Sequence, residues 1–166
     1  MAYRGQCPFG CVRFLKSEAK TMKISTKGRY AVRMLLDLAE HDDGGYIALK
    51  EIAERQGISK KYLEQIVSVL NKSDLLQTNR GFQGGYRLAV PPEKCTVGMI
   101  LRLTEGNLAP VACLEHSPNS CERSAVCPTL FVWEGLGKVI NEYLDGITLR
   151  DILDKKKENY SNDYVI

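Results

Sequence analysis

Residues 54–70 read ERQGISKKYLEQIVSVL. Gly57 is placed to end one helix, Ile58 to plug a core, and Ser59 to cap the next helix through its hydroxyl. After Ser59, Leu63, Ile66, Val67 and Leu70 recur at the i, i+3, i+4, i+7 spacing of one buried helical face. Lys61, Glu64, Gln65, Ser68 and Lys72 fall on the other face. Two helices joined by a three-residue break, the second with a polar outward face, form a unit that can enter a DNA major groove.

Leu49, Ile52 and Ala53 mark the short helix before the break, and Gly44–Gly45 separate it from an earlier one. In that earlier helix, Ala31, Met34, Leu35 and Leu38 repeat the helical apolar spacing. On the other side, LLQTNRGFQGGYRLAV predicts two short strands, Leu75–Asn79 and Gly85–Ala89, around a Gly-rich turn. Pro91–Pro92 close the unit. Helix, helix, break, helix and hairpin is the order of a winged helix-turn-helix, so the expected fold class is mainly α with a small β-hairpin wing and a long C-terminal dimerisation helix.

Within this unit the residues expected to touch DNA are Ser59, Lys60, Lys61, Tyr62, Glu64 and Gln65 on the helix, and Arg80 and Gly81 at the hairpin tip. Gln can pair with adenine through two hydrogen bonds, Glu can accept from cytosine, and Lys can reach guanine or phosphate. An Arg on a thin glycine-flanked loop can enter a narrow minor groove. A polar outward face alone is the default for any surface helix. The hairpin tips the balance toward double-stranded DNA.

The 166-residue chain divides into three parts by pattern: an extension at 1–21, a DNA-binding domain at 22–93, and a region at 94–166 with a cysteine-bearing loop and an expected dimerisation helix. Their net charges are +3, +2 and −2, so the overall +3 reflects the extension as much as the rest. Bulk charge is therefore a weak pointer to nucleic acid. The extension lacks helical periodicity and is expected to be disordered, with Met22 as a candidate start. Its Cys7 and Cys11 form a lone C-x-x-x-C, a weak metal signal. No apolar run approaches the ~18–20 residues of a membrane span, and no signal peptide is evident. The expected home is the cytoplasm, where thiols stay reduced.

That compartment sharpens the reading of residues 113–129, CLEHSPNSCERSAVCPT. Cys113, Cys121 and Cys127 are spaced C-x7-C-x5-C with no regular element through them. Reducing conditions disfavour a disulfide and leave metal ligands or free thiols. Three thiolates on an irregular loop suit an iron–sulfur cluster or zinc, although the paired C-x-x-C of a structural zinc site is missing. Pro118 and Asn119 favour a turn, and Pro128 suits the first turn of a following helix. That helix is expected from about Thr129 to Leu144. Leu136, Val139, Ile140 and Tyr143 form one stripe, enlarged by Leu130, Phe131 and Trp133. This is more apolar surface than an outer helix needs, and a second copy of the chain would cover it. Before the loop, a helix is expected from about Thr96 to Glu105, with Cys95 as a packed thiol outside the site. After it, ITLRDILDKKK predicts one short helix capped by Thr148, followed by a mobile tail.

MKISTKGRYAV, ERQGIS with KYLEQ, and RGFQGGYRL, in this order and spacing, resemble the bacterial winged-helix regulators of the Rrf2 family, which includes IscR-, NsrR-, RirA- and CymR-like members. The resemblance runs from Met22 to about Asp154. It implies a homodimeric repressor or activator binding a palindromic operator. It also implies recognition through the helix beginning near Ser59, with Glu64 and Gln65 at base-facing positions and Arg80 in the wing. Lys61 stands where IscR-like proteins carry a small polar residue, so the operator does not carry over.

The cluster-binding members hold an iron–sulfur cluster with three cysteines in the same loop, and the wide first gap looks most like RirA. The resemblance therefore implies a cluster, in two-iron or four-iron form, on Cys113, Cys121 and Cys127. IscR-like proteins take a fourth ligand from a His three residues after the last Cys, where this chain has Leu130. NsrR-like proteins take a partner's Asp, where this chain has Arg29. His116 is the best local candidate, ahead of Glu115 and Glu122, and an exchangeable ligand is an equal alternative. CymR-like members share the KISTKGRY start and an ending like YVI but generally lack the trio. They imply a second reading: a cluster-free repressor acting through a protein partner from sulfur metabolism. A thiol redox enzyme is the third, disfavoured by the missing C-x-x-C and the lack of an evident substrate pocket.

Overall fold

The computed structural model describes residues 23–81 and 84–162, with side chains to 159. Cys7, Cys11 and the rest of the expected extension lie outside the described residues, as does the end of the expected tail.

Three helices come first: α1 (Thr26–Glu40), α2 (Leu49–Gln56) and α3 (Lys60–Leu70). The hydroxyl of Ser25 caps α1 by accepting from the Gly28 amide at 3.2 Å. Gly57 ends α2 at φ 62°, a left-handed conformation that costs other residues strain. Its amide turns back to the carbonyls of Ala53 and Glu54. Ile58 then buries itself, and Ser59 opens α3 by accepting from the Tyr62 amide at 3.3 Å. The helical stripes read from the sequence are the core: Ala31, Met34, Leu35 and Leu38 of α1 meet Ile52 of α2 and Leu63, Ile66, Val67 and Leu70 of α3. Burying each of the large ones stabilises the fold by about 1.5–3 kcal/mol.

The wing is an antiparallel pair, β1 (Leu76–Asn79) and β2 (Gly85–Leu88), in register Leu76 with Leu88 and Asn79 with Gly85. Each strand is one residue shorter at its outer end than the sequence pattern predicts. Beyond the ladder only a single bond, from the Ala89 amide to the Leu75 carbonyl, continues the pairing. Ile47, ahead of α2, bridges Tyr86 on the free side of β2, with both amide-to-carbonyl distances at 2.9 Å. A Cβ at Gly85 would lie 2.5 Å from the Ile47 carbonyl oxygen, so this close approach requires glycine.

The core continues through Cys95, Ile100 of α4 (Val97–Glu105) and Leu149 of α6 (Leu149–Asn162). Between them the chain makes the cysteine loop and α5 (Leu130–Asp145), then returns to where it left: the Leu149 amide bonds the Cys95 carbonyl and the Val97 amide bonds the Ile147 carbonyl, both at 2.9 Å. α5 begins one residue later than expected. Pro128 therefore precedes Thr129 rather than lying in the first turn, and Thr129 makes no side-chain cap. α6 is no short helix. It runs 14 residues, through most of the stretch expected to be a mobile tail. Thr148 and Asp151 cap its start reciprocally, at 2.8 and 3.1 Å, Leu149 and Leu153 bury against the body, and Lys156 reaches Glu40 of α1 at 2.7 Å.

No residue of α5 is buried. Phe131, Val139 and Tyr143 are 73, 61 and 67% exposed, with Val132, Trp133 and Leu136 alongside. The helix is tied to α4 by a polar clamp instead. Arg102 donates to Asn141 Oδ1 at 2.9 Å and pairs with Asp145, and Asn141 donates to the Gly137 carbonyl at 2.8 Å.

Candidate nucleic-acid interface and cysteine loop

α3 presents Lys60, Lys61, Glu64, Gln65 and Ser68 to solvent because its apolar stripe faces the core. Lys60 Nζ and Glu64 Oε1 lie 3.8 Å apart on that face, an exposed pair worth little energy. A cleft between α3 and the wing is lined by Lys60, Glu64, Thr78, Arg80, Gly81 and Tyr86, among others. It gathers four of the eight residues expected at DNA. Ser59 and Tyr62 sit instead in a hollow with Thr26 and Tyr30, at the start of α1. The Tyr62 ring meets Tyr30 edge-on, with centroids 5.7 Å apart. Lys61 and Gln65 line neither recess and stand exposed.

Sequence reasoning missed the residues that fix this cleft. Thr78 donates to Asn71 Oδ1 at 2.8 Å, joining the wing to the end of α3. Arg87 donates to Gln77 Oε1 at 2.7 Å and to the Gly44 carbonyl at 3.1 Å, and stacks over Tyr46. Thr26 carried no signal in the sequence, yet it adjoins the start of α3 in the hollow with Ser59 and Tyr62.

Cys113 lies in a single helical turn, Ala112–Leu114, and Cys121 and Cys127 flank another, Ser124–Val126. All three thiols are free and half-exposed. The Cys127 Sγ is 3.5 Å from Thr129 Oγ1. This hydrogen bond, then the Thr129 and Leu130 amides at the start of α5 and the Arg123 charge, hold its thiol below the ordinary value. Asn107 and Asn119 pin the loop. Asn107 Oδ1 accepts from the Ala109 amide at 2.8 Å, and Asn119 Oδ1 accepts from the Cys121 amide at 2.9 Å. The donor chemistry suits a soft metal centre. The sulfurs do not converge in this structure: among the described residues, no three His, Cys, Asp or Glu side chains are gathered closely enough to hold an ion. His116 is exposed on the same loop. Cys95 is wholly buried, and burial pushes its thiol up to about 11, which sets it apart from the trio.

Residues 24–155 match the family described as Rrf2, iron-dependent transcriptional regulator. The regulator IscR of Aliivibrio salmonicida is 40% identical over 132 residues, 80% of this chain and 77% of that protein. Protein rrf2 of Nitratidesulfovibrio vulgaris is 42% identical over 132 residues, covering 80% and 87%. The solved structure of CymR, the global cysteine regulator of B. subtilis, superposes with a TM-score of 0.66 at 37% identity, covering 80% of this chain and 97% of that one. T. potens IscR superposes at 0.65 with 42% identity, covering 82% and 90%. Among the described residues no helix is long and apolar enough to cross a membrane. A winged helix-turn-helix with an open cleft, matched over most of its length by regulators of one kind, identifies the chain: it belongs to the Rrf2 family of DNA-binding transcriptional regulators, which are not enzymes.

Proposed function

We propose that the chain is a homodimeric operator-binding regulator, a repressor in its simplest form, whose grip on DNA responds to an iron–sulfur cluster held by Cys113, Cys121 and Cys127. The observation that carries this reading is the placement of three free, half-exposed thiols on the irregular loop leading directly into α5. His116 is the candidate fourth ligand from the same loop. A reduced cytoplasm keeps such thiols available.

A bound cluster supplies linkages between thiolates that are made or lost with iron, oxygen or nitric oxide supply. The chain converts that into position. Cys127 is joined to the start of α5 through its carbonyl, which accepts from the Leu130 amide at 3.3 Å. With Cys127 as a cluster ligand, this end of α5 would be tied to the bound group, while Arg102 holds the other end at Asn141 and Asp145. The apolar face of α5 supports pairing with the same helix of a second copy. Any rotation of that pair changes the spacing of the two recognition helices, a two-state coupling between cluster and operator. On DNA, Lys60, Glu64, Arg80 and Gly81 of the cleft face the duplex with Lys61 and Gln65. Ser59 and Tyr62 approach from the hollow at the start of α1.

Anaerobic purification tests this. The expected protein is coloured, contains iron and sulfide, and changes its operator affinity when stripped. Colourless protein that takes up neither after reconstitution would overturn the cluster reading. A second reading, a cluster-free repressor of sulfur metabolism acting through a protein partner, draws support from the likeness to CymR over 97% of that chain. Unchanged DNA affinity and regulation in Cys121→Ala would favour it.

A further inference from the structure

Asn119 lies between Cys113 and Cys121, and its carboxamide is used at one end only. Oδ1 accepts from the Cys121 amide. Nδ2 is closed off from solvent and is, among the described residues, the one buried side-chain nitrogen or oxygen with no hydrogen-bond partner. Exchanging the two atoms does not cure this, because it would set an NH₂ group against the Cys121 N–H. A buried amide N–H left unpaired costs free energy, so such groups are rare and call for a cause. The turn itself is not the cause. Asp would accept from the Cys121 amide equally well and strand no donor, and Ser would accept through a hydroxyl whose single hydrogen can rotate to another partner. What distinguishes asparagine here is a donor held beside the Cys121 main chain, in the loop that carries all three thiols.

We infer that Asn119 is a positioning residue for the cluster, its Nδ2 donating an N–H···S hydrogen bond to a thiolate or sulfide of the bound group. This rests on the cluster reading above and adds a residue to it. Hydrogen bonds to cluster sulfurs raise the reduction potential by stabilising the more negative reduced form. Groups that orient first ligands typically alter metal affinity by about 10–100-fold when removed.

The test uses the full chain, reconstituted anaerobically as wild type, Asn119→Asp and Asn119→Ser. Both variants keep an acceptor for the Cys121 amide, neither presents the amide donor, and only the first adds charge. The readouts are reduction potential, rate of cluster loss to a chelator, and thermal midpoint of the apo protein. The expected result is an apo midpoint no lower than wild type in both, because each removes an unpaired buried donor, with a lowered potential and about tenfold or faster cluster loss in both. A wild-type potential and loss rate in Asn119→Ser would overturn the inference, whatever Asn119→Asp does, since charge alone would then explain the latter. A lowered apo midpoint in both with unchanged potential would reassign Asn119 to a purely structural role. Wild-type protein that takes up no iron and sulfide would overturn the cluster reading itself, so the two failures are distinguishable.

Discussion

Arg55 of α2 grips Asp37 of α1 with two nitrogens, Nε at 3.1 Å from Oδ1 and Nη2 at 2.7 Å from Oδ2. Asp37 is only 1% exposed, and Gln56 donates a third bond to it at 2.8 Å. Arg33 of α1 in turn donates to Gln56 Oε1 at 3.1 Å. The clamp sets the angle between α1 and α2 immediately ahead of the Gly57–Ser59 break, and so aims α3.

Removing one partner of such a pair strands the other. Arg55→Ala should destabilise the fold by about 3 kcal/mol, because it leaves a buried carboxylate with Gln56 as its hydrogen-bond donor and His41 3.9 Å away. Arg55→Lys should lie between, since an ammonium cannot reproduce the two-pronged geometry. Denaturant melts measure both. A loss under about 1 kcal/mol in Arg55→Ala, the level of an exposed pair, would show that the clamp is dispensable.

The exposed face of α3 and the wing tip should fail in different ways. Gln65→Ala and Glu64→Ala should lose about 1–3 kcal/mol of preference for the operator over scrambled DNA. Arg80→Ala should weaken binding and reduce the salt dependence by about one unit of slope if Arg80 contacts phosphate. Fluorescence anisotropy at several salt concentrations separates the two behaviours. Equal binding of operator and scrambled DNA by wild type would remove the basis for both.

Val139 lies on the uncovered face of α5 and is 61% exposed. Val139→Asp should therefore leave the monomer's own stability within about 0.5 kcal/mol, as for surface changes elsewhere. It should abolish pairing and cut operator affinity at least about tenfold through loss of two-site binding. Sedimentation gives the first answer. A variant that still sediments as a dimer would place the interface elsewhere.

Cys95 and the loop cysteines should separate by reactivity. In folded apo protein at neutral pH, iodoacetamide should modify Cys113, Cys121 and Cys127 and spare Cys95, which is sealed in the core with its thiol at about 11. Denaturation should expose Cys95 to the same reagent. Site-resolved mass spectrometry reads this, and rapid labelling of Cys95 in the native state would contradict the packing.

The helices bearing the core were legible in the sequence because each must bury one stripe, and burial imposes a period that survives in one dimension. Gly57 and Ser59 were legible for a local reason: a left-handed residue and a hydroxyl cap are nearly self-specifying. The length of α6 was not, because its later turns are polar. It is held by the burial of Leu149 and Leu153 and by contacts across the fold such as Lys156 with Glu40. The Asp37–Arg55 clamp was invisible for the same cause, as nothing in a charge pattern announces which carboxylate will be closed off from water. In the candidate site, donor identity was readable and donor geometry was not, since an irregular loop carries no period from which positions can be computed. Tyr62 illustrates the limit: its place in α3 was clear, but its engagement with Tyr30 depends on how α1 crosses that helix.

The bridge between Ile47 and Tyr86 has an evolutionary side. It grips the stem of the wing from outside the hairpin, and Thr78 and Asn71 grip it from α3. A slip of register by one residue would break these anchors and turn each stem side chain to the opposite face, so the stem tolerates little change. The segment between Asn79 and Gly85 bears no such constraint from the ladder. The side chain at position 80 can change there without disturbing the pairing beneath. Descendants of such a protein could thus lengthen or shorten their reach along DNA while inheriting the same frame, leaving the tip as the part of the reader most open to drift.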